Sequence, residues 1–76
     1  MIPPNTDFST TATSTTGDFR MTKNGAEIPF DVTSQGADKW LIEVDGAEIT
    51  CPGPLKLEKK SGGLWVEIGS WEIGPC

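Results

Sequence analysis

The sequence predicts an all-β fold, a small antiparallel β-sandwich or partly open barrel of three hairpins preceded by an extended N-terminal arm. Three observations carry this. No segment shows a helical apolar period over even eleven residues. Apolar residues instead alternate with polar ones in short runs, the spacing that puts them on one face of a strand. Those runs are separated by Asn24-Gly25, Asp45-Gly46 and Ser61-Gly62-Gly63, residues that accept the positive φ of hairpin turns.

Residues 1–17 form the arm. Eight of these seventeen residues are Ser or Thr, and only Ile2 and Phe8 offer much to bury. Alone, such a segment cannot offset its ordering entropy. Its β-branched threonines suit a strand laid against another surface, expected here to be a neighbouring subunit. The folded domain is then residues 18–76. Its first hairpin sets Phe19 and Met21 against Ala26, Ile28 and Phe30 across Asn24-Gly25. Pro29 has no N–H to give a ladder, which places that return strand at a sheet edge or at a bulge. Residues 33–38 read as a polar loop.

The central hairpin is expected over residues 39–51. Trp40, Ile42 and Val44 form one arm, Ala47, Ile49 and Cys51 the other, with Asp45-Gly46 as a type I′ turn. The string Gly25-Ala26-Glu27-Ile28 recurs as Gly46-Ala47-Glu48-Ile49, which two independent turn-to-strand transitions explain without a repeat. Pro52-Gly53-Pro54 breaks the chain. The third hairpin pairs residues 55–60 with a strand whose one face is Leu64, Val66 and Ile68 and whose other is Trp65 and Glu67. At Gly69-Ser70 the parity changes to Trp71 and Ile73, the mark of a β-bulge. Lys56, Lys59 and Lys60 read as solvated charges guarding an edge.

Composition narrows the function. Seventy-six residues make one small domain, with a core that needs support from a disulfide, a metal or assembly. There is no histidine, and the acids lack a loop-ligand spacing, so no metal or other cofactor is expected. Without histidine, the usual acid–base group and activator of nucleophiles is missing, and the glutamates alternate with apolar residues as a solvated face would. An enzyme is not expected. A net charge of −5 disfavours nucleic acid as a partner, and no apolar run is long enough for a membrane helix. The start of the chain lacks the basic and apolar regions of a signal peptide. Cys51 and Cys76 read more plainly as small, half-buried thiols, with a disulfide between them as the alternative in an oxidising exterior.

Trp40 falls on the apolar face of the central hairpin and is expected in the core. Trp65 lies opposite Leu64 and Val66, so it is exposed if they are buried, and Trp71 can face either way. Exposed aromatics on a sheet suit a protein partner or a sugar ring.

The segment Ile2-Pro3-Pro4, the run from Ser9 to Thr16 and the compact β segment from Asp18 to Ile73 together resemble the layout of small bacteriophage virion accessory proteins of the head-decoration or cement type. The resemblance is one of architecture and composition. It implies a virion protein, made in the host cytoplasm, that caps joints between capsid or tail subunits and adds its arm to a neighbour's sheet. Ile2, Phe8, Thr11, Thr13, Trp65 and Trp71 are the expected partner-binding residues, with protein subunits or further copies of the chain as partners. The alternative is a small carbohydrate- or protein-binding module that uses Trp65 and Trp71 as a platform.

Overall fold

A computed structural model describes residues 1–50 and 53–75. The chain folds into two antiparallel sheets packed as a small β-sandwich. In chain order the strands are β1 (Phe8–Thr13), β2 (Phe19–Lys23), β3 (Ala26–Glu27), β4 (Asp31–Ser34), β5 (Lys39–Val44), β6 (Leu55–Ser61) and β7 (Leu64–Trp71). One sheet has the order β1-β5-β4 and the other β3-β2-β6-β7. The alternating runs of β2, β5 and β6 supply the layer between them. Met21 from β2, Ile42 and Val44 from β5, and Leu55 and Leu57 from β6 form its buried centre, joined by Ile49. Fully burying a side chain of this size stabilises by roughly 1.5–3 kcal/mol.

Two of the three expected hairpins form where the turn residues place them. Asn24 and Gly25 adopt φ of 52° and 84° between β2 and β3. The return strand is short. Ile28 still donates to the Met21 carbonyl at 3.0 Å, and Pro29 follows, leaving β3 at a sheet edge. Gly62 and Gly63, with φ of 59° and 82°, join β6 to β7. Along that pair the register moves from Leu57↔Gly69 to Glu58↔Glu67, so Ile68 is the extra residue of a bulge.

The hairpin expected over residues 39–51 is not there. Asp45 keeps an extended backbone, with φ −63° and ψ 140°, and caps a 3-10 turn over Gly46–Glu48, its carboxylate accepting from the Ala47 N–H. A capping Asp has satisfied its side chain locally and needs no left-handed turn. Gly46 is held from the other side, because its N–H donates to Asp7 Oδ1 at 2.8 Å. A Cβ there would sit 2.9 Å from the Thr6 carbonyl carbon. β5 instead forms a hairpin with the segment that precedes it. Residues 31–34, of which the last two were expected in a loop, form β4 and pair with β5 from Asp31↔Glu43 to Ser34↔Trp40. The two Gly-Ala-Glu-Ile strings therefore adopt different structures, a strand start and a 3-10 turn.

Residues 1–17 do not stand off as an arm for a neighbouring subunit. β1 pairs with β5 of its own chain, from Phe8↔Val44 to Thr13↔Lys39. Ile2 is 7% exposed and forms a parallel bridge with Ile73, held by its N–H to the Glu72 carbonyl at 2.7 Å. The physical reason is that β5 is central and must be paired on both sides. A threonine-rich strand with Ala12 turned inward fills the vacant side.

Candidate interaction surface

The surface that stands out is the outer half of the β6–β7 hairpin. Four large apolar side chains of β7 are in water: Leu64 is 72% exposed, Val66 44%, Ile68 39% and Trp65 38%. The face of Leu64, Val66 and Ile68, whose burial the alternation alone left open, is thus in water. β7 is also an edge, with β6 on one side and an open row of backbone groups on the other. The three lysines do not guard that edge. Lys56, Lys59 and Lys60 lie on β6, an interior strand, and β7 itself carries one charge, Glu67. Glu67 is paired with Lys56 at 3.5 Å.

The outer face of this sheet is held by cross-strand polar contacts. Arg20 on β2 donates through Nε and Nη2 to one oxygen of Glu58 on β6, at 3.0 and 2.8 Å. The same guanidinium lies over the Trp65 ring, 4.6 Å from its centroid, in a cation–π arrangement. Lys60 is the residue paired with Trp65 across the β6–β7 ladder. Trp65 is therefore a partly exposed ring with two cationic residues around it.

The expected contact residues separate into four groups. Ile2 is core. Phe8 and Trp71 meet edge to face at 4.8 Å and close the junction between the two sheets. Thr11 and Thr13 are exposed on β1, an edge of the smaller sheet, and Trp65 alone lies in the β7 patch. Sequence reading missed Leu64, Val66 and Ile68 as contact residues, because alternation tells that three residues share a face but not whether that face is covered. Trp40, expected in the core, is half-buried. It packs edge to face on Phe19 at 6.2 Å and donates its indole N–H to the Ser14 carbonyl at 3.0 Å. Cys51 and Cys76 lie outside the described residues.

A shallow groove of about 290 Å³ is lined by Pro29, Phe30, Asp31, Glu43, Asp45, Ala47 and Glu48. Among the described residues no cluster of carboxylates is arranged to hold a metal ion. No helix among them is long and apolar enough to cross a membrane. No protein-family model, curated protein or solved structure matches the chain.

Proposed function

We propose that the chain is a non-enzymatic structural protein that joins protein subunits into a larger assembly, with β7 as its contact strand. The observation that carries this reading is the stretch Leu64–Ile68, an open strand edge bearing four exposed large apolar residues and one charge. Monomeric proteins usually blunt such edges with charge, proline or a cover, and an edge left open is a template for a partner's strand. Main-chain hydrogen bonds then supply pairing, and Leu64, Val66 and Ile68 supply apolar area. A virion is the setting we assign to it, as a capsid-decoration, cement or tail accessory component, since repeated subunits present many equivalent edges. Contact is through the β-domain, because β1 is already used within the chain. A protein partner is favoured over a sugar, as the Trp65 ring already carries the Arg20 guanidinium.

The test is a benzophenone side chain placed at position 66 of the full chain and irradiated in the cells that naturally make it. A discrete covalent adduct with a protein is expected. Absence of any adduct overturns the reading.

A further inference from the structure

We infer that the partner of the β7 edge is the β7 edge of a second copy, paired antiparallel about a two-fold axis at Val66. This rests on the assembly reading above and names its partner.

The other edges are poor candidates. β3 has two residues and is followed closely by Pro29, β4 starts at the charged Asp31, and β1 turns Ser9, Thr11 and Thr13 outward. Among the described residues, only β7 offers exposed large apolar side chains at an open edge. A two-fold axis perpendicular to the sheet brings residues of the same face opposite one another, so each allowed register is centred on one residue. Centring on Glu67 sets two carboxylates face to face, which is destabilising. Centring on Trp65 stacks the bulkiest pair and leaves Ile68 opposite the turn at Gly62. Centring on Val66 sets Leu64 against Ile68 of the second copy, Val66 against Val66, and Trp65 against Glu67.

In that register the charges are complementary. Each Glu67 comes to lie beside the other copy's Trp65, with Arg20 over that ring and Lys60 the ladder partner of that tryptophan on β6. The existing pairs Arg20–Glu58 and Lys56–Glu67 are thereby brought into one network across the axis, twice, by symmetry. The bulge at Ile68 twists the strand just beyond and confines pairing to residues 64–68. The two four-stranded sheets become one of eight strands, and six apolar side chains leave water together.

Sedimentation velocity of the purified chain over a concentration series tests this. A reversible dimer is expected, with slowed amide exchange at residues 64–68. Val66→Lys sets two ammonium groups against each other on the axis and should weaken the dimer at least thirtyfold, roughly the loss of one interface hot spot. Glu67→Gln discriminates registers: it should weaken a dimer centred on Val66, where the carboxylate lies near Arg20, and strengthen one centred on Glu67, where it removes the facing pair of like charges. Unchanged exchange protection at Met21 and Ile42 shows that both variants fold. A chain that stays monomeric throughout, or a dimer indifferent to Val66→Lys, overturns the inference. If the adduct from position 66 joins a different protein while the purified chain is monomeric, the assembly reading stands without the second copy. No adduct in either setting removes both.

Discussion

Arg20 connects three strands through one side chain. From β2 it binds Glu58 on β6 and covers Trp65 on β7, the first and second strands beside β2 in the sheet although both are remote from it in sequence. Both ends of the ion pair are partly in water, at 28% and 19% side-chain exposure, so solvent screening keeps its contribution modest. Arg20→Ala should cost about 1 kcal/mol in urea unfolding and alter Trp65 fluorescence, whereas Arg20→Lys should restore the charge but not the stack. Ile42 is a sharper case. It is fully buried on β5, the strand between β1 and β4, and Ile42→Ala should destabilise by about 2–4 kcal/mol through lost burial and a cavity. A loss under 1 kcal/mol would mean that the two sheets close over the gap.

At the scale of elements, the 3-10 turn at Gly46–Glu48 shows what local sequence can and cannot specify. Asp-Gly is a strong hairpin signal, yet it is equally a capping Asp followed by a residue able to lie against another backbone. Asp7 and Thr6, remote in sequence, decide between them. Gly46→Ala should therefore destabilise by about 2 kcal/mol or more, since the added methyl meets main chain that cannot swing aside. A thermal melt measures it directly. Gly25→Ala has open space around it and a positive φ, so it should cost about 1 kcal/mol from backbone strain alone. The hairpins at Asn24-Gly25 and Gly62-Gly63 were legible because their turns need nothing beyond their own residues. The bulge was legible too, as a change of parity at one glycine. β4 was not, because Asp31-Val32-Thr33-Ser34 has a single apolar residue and owes its strand to the ladder with β5.

For the whole molecule, the fold class followed from periodicity, but the pairing of strands did not. Composition made residues 1–17 look like a separate tether. In the fold they complete the smaller sheet and seat Ile2 in the core. Deleting residues 1–17 should therefore leave β5 with one open side and unfold the chain, seen as loss of cooperative melting. An intact, cooperatively folded remainder would restore the tether reading. The contact patch was half visible for the same reason. Trp65 could be named from its parity, but the exposure of Leu64, Val66 and Ile68 depends on how far the opposite sheet reaches.

The strand order also sets the clock of folding. β2–β3, β4–β5 and β6–β7 each close over a short turn, and such hairpins form in about 1–10 μs. Neither sheet is complete at that stage. β1 must find β5 across residues 8 to 44, and β2 must find β6 across residues 19 to 59, before most apolar burial is gained. Chains dominated by such distant pairings fold in milliseconds to seconds. Until β1 docks, β5 is a second unguarded edge, so the nascent protein passes through a species with two sticky strands where the finished one has a single apolar edge. Rapid dilution at high concentration should therefore favour aggregates, and slow dilution the native chain.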